Sequence, residues 1–159
     1  MVRTFDPALV PGHKFFGPDT LDSHLWTDDD SDYVEMWSSG VTTDFWTYTS
    51  LAAGDNVSWI EKWYPVAGIG GFHKANEHAA VRLTDTGNGA EIGVAVTAVT
   101  TGTITLYANS TPVETWPVTL SPGLPFMTNW ERPSGLDGTL GLRLADEMAV
   151  ALIEIGLVP

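Results

Sequence analysis

Two stretches of this chain hold a glutamate between aromatic residues at two-residue spacing: Tyr33-Val34-Glu35-Met36-Trp37 and Trp59-Ile60-Glu61-Lys62-Trp63. Alternate side chains of an extended strand share a face, so each stretch would set one carboxylate between two rings. Flat rings stack on the apolar face of a sugar, and a carboxylate accepts hydrogen bonds from its hydroxyls. Trp46 and Tyr48 also alternate, within residues 42–51. The ligand-binding candidates are therefore Tyr33, Trp37, Trp46, Tyr48, Trp59 and Trp63. The same residue types also build cores, since large aromatics bury most of their area. On that reading the rings are cross-strand pairs and the glutamates sit at an exposed edge.

Glu35 and Glu61 are the catalytic candidates. Glycoside hydrolysis needs one protonated and one ionised carboxyl, about 5–5.5 Å apart in retaining enzymes and about 6.5–9.5 Å in inverting ones. A mutarotase or epimerase would need a histidine acid and a carboxylate base; His13, His24, His73 and His78 are present, at no diagnostic spacing. Asp28, Asp30 and Asp32 imitate the start of an EF-hand loop. Tyr33 stands where the glycine belongs, and Ser39 where the last glutamate belongs, so the run reads as a solvated acidic turn. No histidine spacing fits zinc. Gly68-Ile69-Gly70-Gly71 lacks the lysine of a phosphate loop. No metal or cofactor is expected.

Twenty acidic residues against seven basic ones give a formal charge of −13. That field repels nucleic acid and anionic membranes and is compatible with a neutral oligo- or polysaccharide. The absence of cysteine excludes disulfides and thiolate metal sites. The N-terminus carries no apolar stretch of a signal peptide, and no apolar run is long enough for a membrane helix. The compartment is left open.

Gly and Pro are frequent, and no long segment keeps a helical period. The chain reads as all-β. Residues 1–76 are expected to form an antiparallel meander, with strands near 32–37, 42–51 and 57–66 and a turn at Ala53-Gly54-Asp55-Asn56. Residues 77–159 are expected to form an immunoglobulin-like β-sandwich. Its strands are expected near 78–84, 91–100, 103–108, 113–120, 126–132, 140–145 and 149–155. The turn signals between them include Asn88-Gly89, Thr101-Gly102 and Asn109-Ser110. Glu91, Gly93, Ala95 and Thr97 alternate with Ile92, Val94, Val96 and Ala98, which predicts one buried face. The glycine segment 67–71 reads as a boundary or a loop that a ligand approaches closely.

The stretches Tyr33-Val34-Glu35-Met36-Trp37-Ser38-Ser39-Gly40, Leu51-Ala52-Ala53-Gly54-Asp55 and Ser58-Trp59-Ile60-Glu61-Lys62-Trp63-Tyr64-Pro65-Val66 resemble the last strands of galactose-mutarotase-like β-supersandwich domains. The likeness is greatest to large bacterial proteins that join such a domain to an immunoglobulin-like sandwich and tetratricopeptide repeats. Members act on carbohydrates or bind glycans. The resemblance implies a carbohydrate-recognising module of a carbohydrate-active enzyme. A glycoside hydrolase and a structural domain are the alternatives. A complete supersandwich is longer than the first half of this chain, so pairing with another copy or another domain would close its sheet.

Overall fold

The computed structural model describes residues 1–16, 27–29, 31, 34–39, 46, 47 and 50–156. The protein is all-β. Its strands are β1 (Val2–Phe5), β2 (Gly12–Phe16), β3 (Glu35–Ser39), β4 (Glu61–Tyr64), β5 (Lys74–Ala75), β6 (Ala79–Asp85), β7 (Gly89–Val96), β8 (Thr100–Ala108), β9 (Thr111–Leu120), β10 (Phe126–Glu131), β11 (Leu140–Asp146) and β12 (Ala151–Ile155). They divide between two compact units, Met1–Thr4 with Trp63–Pro159, and Phe5–Lys62.

The first unit is a sandwich of two four-stranded sheets, ordered β10-β7-β6-β5 and β12-β11-β8-β9. Strict alternation builds its core. Ala79 and Val81 of β6, and Ala90, Ile92, Val94 and Val96 of β7, meet Ile104 and Leu106 of β8 and Leu140, Leu142 and Leu144 of β11. Every strand pair within these sheets is antiparallel. Two antiparallel sheets face one another as expected, although immunoglobulin domains order their strands ABED and CFG. Edge strand β9 carries Pro112 and Pro117. Proline cannot donate to a ladder, so it is confined to edges, where it also blunts pairing with other chains.

One turn lies elsewhere than expected. The chain bends at residues 97–99, and Thr101-Gly102 runs inside β8. Gly102 is a site of close strand approach: a Cβ there would lie 2.0 Å from the Ala145 carbonyl oxygen. Asn109 and Ser110 form the expected tight turn, with φ of 48° and 65°.

The outer face of β6 and β7 is also covered. Ile69 is fully buried, and with Val2 and Ala80 it forms a second cluster, joined by Tyr64, Val66 and Ala95. Arg82 pairs with Glu91 on this face and donates to the Ile69 carbonyl at 3.3 Å. Residues 63–76 thus belong to the same compact unit as the sandwich.

Asn76 ties the sandwich edge together. Its amide nitrogen donates to the Leu152 carbonyl at 2.7 Å, and its Oδ1 accepts from the amides of His78 (2.9 Å) and Ala79 (3.0 Å). The Tyr64 hydroxyl lies 2.6 Å from the Asn76 carbonyl and 3.0 Å from that of Ala79. Burial pushes this hydroxyl up to about 12, against about 10 in an unfolded chain. The folded state thus holds the proton longer than the unfolded state. The stability this group contributes is complete below about pH 10 and is lost as pH rises from there toward about 12. The alkaline fall in unfolding midpoint is expected to be shallower in Tyr64→Phe than in wild type. Equal slopes would refute the assignment.

In the Phe5–Lys62 unit, strands β2 and β3 pair antiparallel. Strand β1 pairs with β4, which is not its neighbour in sequence. The turn at Ala53-Gly54-Asp55-Asn56 is present: Asp55 donates its amide to the Ala52 carbonyl and accepts the Ala52 amide, both at 3.0 Å, with Gly54 at φ 93°. Most of the strand expected at 42–51 lies outside the described residues.

Candidate functional site

Strand β3 splits the candidate residues between its faces. Glu35 and Trp37 share one face by alternation, and Met36 and Ser38 the other. The antiparallel register sets His13 of β2 opposite Ser38, so His13 joins the second face. The His13 ring lies 5.3 Å from that of Phe5, tilted by 58°.

Glu61 is bonded to that second face. The Ser38 hydroxyl donates to Glu61 Oε1 at 2.7 Å, and the Trp59 indole N–H donates to the same oxygen at 2.9 Å. An ionised carboxylate is an acceptor only, with lone pairs for both donors. The result is a corner in which an indole is fixed edge-on to a carboxylate beside a serine hydroxyl.

Trp59 reaches this corner by a different route from the expected one. Residues 57–60 are irregular and β4 begins at Glu61. The indole is turned by its own hydrogen bond, not by strand alternation. Trp59 remains 38% exposed.

The structure brings Trp59 and Glu61 together, with Ser38, and leaves Glu35 and Trp37 on the other face of β3. The two glutamates are therefore presented to opposite sides of one strand. Trp46 stands 84% exposed. Tyr33 and Tyr48 lie outside the described residues. In the other unit, Trp63 is 46% exposed, and the Arg3 guanidinium lies 4.8 Å from its ring centroid. One face of that ring thus already holds a cation.

Ser38 and Arg3 escaped the sequence reading, and His13 entered it only as one of four histidines at no diagnostic spacing. Ser38 lies two residues beyond Met36 and shares its alternation, a usable signal. His13 becomes its neighbour only through the register, and Arg3 meets Trp63 only through folding.

In the acidic run, Asp29 accepts the Ser31 amide at 3.2 Å, and Thr27 donates to the Ser31 carbonyl at 3.0 Å. The hydrogen bonds from Ser31 lower the Asp29 carboxyl below its usual range. Asp30 and Asp32 lie outside the described residues. Among the described residues no three His, Asp or Glu side chains gather as a metal site would require. No helix among them is long and apolar enough to cross a membrane.

No curated protein and no solved structure matches this chain. A family profile does: that of the YphG-like protein, second domain, over residues 74–154. The match runs from β5 into β12, which is the sandwich, and leaves the Trp59–Glu61 corner outside it. It spans just over half of the sequence, and the chain belongs to the family of YphG-like protein second domains.

Proposed function

We propose that this protein is a carbohydrate-recognising module, and that the Phe5–Lys62 unit holds a neutral oligo- or polysaccharide at the Trp59–Glu61 corner. The observation that carries the reading is the Trp59 indole hydrogen-bonded to Glu61 while the residue stays 38% exposed. An exposed ring of fixed orientation offers a stacking surface at low entropic cost. The adjoining carboxylate accepts from sugar hydroxyls, and charge-assisted hydrogen bonds are the stronger kind. The acidic surface does not oppose a neutral ligand. The likeness of the N-terminal stretches to supersandwich domains points to the same ligand class.

Binding is favoured over hydrolysis because Glu35 and Glu61 sit on opposite faces of β3. A pair that cleaves a glycosidic bond must flank it from one shared cleft. A structural role is the second reading, supported by the family's description as a second domain.

Intrinsic tryptophan fluorescence is expected to shift saturably with one class of oligosaccharide. Trp59→Ala should abolish that shift. Glu61→Gln should weaken affinity about tenfold, the equivalent of about 1.4 kcal/mol. Unchanged affinity in both variants would eliminate the site.

A further inference from the structure

The glycine segment read from the sequence lines a cavity that the Trp59–Glu61 corner does not use. The cavity measures about 350 Å³ and lies wholly in the sandwich unit, between residues 64–68, the end of β7 and the turn at residues 121–125. Small-ligand sites run from about 300 to 1,000 Å³, so this one admits a single ring better than a polymer.

Its walls are held by hydrogen bonds and close packing. Leu124 donates to the Ser121 carbonyl at 3.0 Å, with Pro122 and Gly123 between them and Gly123 at φ 86°, the marks of a type II turn. Gly68, at φ 76°, approaches Pro125 so closely that a Cβ would lie 2.9 Å from the proline Cγ. The Tyr64 ring is pinned by its hydroxyl. Pro65, Pro122 and Pro125 add three pyrrolidine rings.

The polar groups restrict the ligand further. Thr97 spends its hydroxyl proton on the Glu77 carbonyl at 2.9 Å, so toward a ligand it can only accept. The Ser121 hydroxyl, which makes no hydrogen bond among the described residues, can donate or accept. Among the described residues no charged side chain lines the cavity, on a chain of net charge −13. A charged ligand would be desolvated there without a partner. An uncharged ring with C–H faces for tyrosine and proline and at least one O–H for Thr97 suits this lining.

We propose that the cleft between residues 65–68 and the turn at 121–125 is a binding site for one neutral monosaccharide ring. It is independent of the Trp59–Glu61 corner. The test is amide-resolved NMR of the full chain titrated with glucose and galactose, and with glucuronate and glucosamine as charged counterparts. Saturable shifts at Gly68, Ala95 and Gly123 are expected with a neutral sugar, at an affinity in the millimolar range. Ala67→Leu, which fills the mouth from an exposed position, should weaken binding at least about tenfold. Thr97→Val should weaken it as well, and Trp59→Ala should leave it unchanged. The site is overturned if neither neutral sugar saturates those resonances by about 100 mM. Equal binding of glucuronate, or indifference to Ala67→Leu, would overturn it too.

Discussion

Replacing Asn76 with alanine is expected to lower the unfolding midpoint of the sandwich by roughly 10–30 °C, a loss of roughly 2–4 kcal/mol in a unit of about 100 residues. The reason is concentration. One half-buried side chain makes three hydrogen bonds, to the Leu152 carbonyl and from the amides of His78 and Ala79. These groups belong to different sheets: β6 begins at Ala79, and Leu152 lies on β12 at the edge of the other sheet. Alanine would leave the Leu152 carbonyl and the Ala79 amide without partners, and unpaired groups cost more than the bond itself was worth. Asn76→Asp separates the two contributions. It keeps the acceptor for the two amides and removes the donor to Leu152, so about half of the effect should remain. Thermal unfolding followed by circular dichroism distinguishes the cases. A midpoint within about 3 °C of wild type in Asn76→Ala would show that water replaces all three bonds.

Asn76 also shows what the sequence conceals. Its neighbourhood, Lys74-Ala75-Asn76-Glu77-His78, reads as a polar loop, and nothing local announces a partner 76 residues away. The strands of the sandwich, by contrast, were legible. Alternation of Ile92, Val94 and Val96 with Glu91, Gly93 and Ala95 states the buried face in period two, and turn chemistry at Asn109-Ser110 states where the hairpin closes. Gly102 misleads because a glycine that permits close strand approach is spelled like a glycine that permits a turn. At the candidate site, the proximity of Trp59 and Glu61 was legible from their spacing. The means was not, since the indole turns to its own carboxylate outside any strand. The separation of Glu35 from Glu61 depends on which face of β3 receives Glu61, and that is decided by Ser38, a contact across 23 residues.

Gly93→Ala is expected to be the second most damaging of these substitutions, although it adds one methyl group to a strand. Gly93 lies on the outer face of β7, where Ile69 packs down with no exposed surface. A Cβ at this position would lie 2.8 Å from Ile69 Cβ, 3.2 Å from Ile69 Cγ2 and 2.9 Å from Met127 Sδ. The methionine sulfur can swing away, because Met127 is 49% exposed. The Ile69 Cβ cannot, since it is fixed to a backbone that also accepts from Arg82. The segment must therefore lift. Overpacking of this kind costs about 1–3 kcal/mol, and displacing a buried isoleucine costs about 1.5–3 kcal/mol more if it is complete. Alanine recovers only about 0.5–1 kcal/mol over glycine within a strand. The net expectation is a loss of roughly 2–3 kcal/mol, read as a midpoint lower by roughly 8–20 °C. The control is a double-mutant cycle with Ile69→Gly, which removes the side chain that the new methyl would strike. In that background Gly93→Ala should cost close to nothing, an interaction energy of roughly 2 kcal/mol between residues in contact. If the alanine costs the same with and without Ile69, then β7 itself resists the substitution, and the outer face of the sheet is not where residues 64–71 are held.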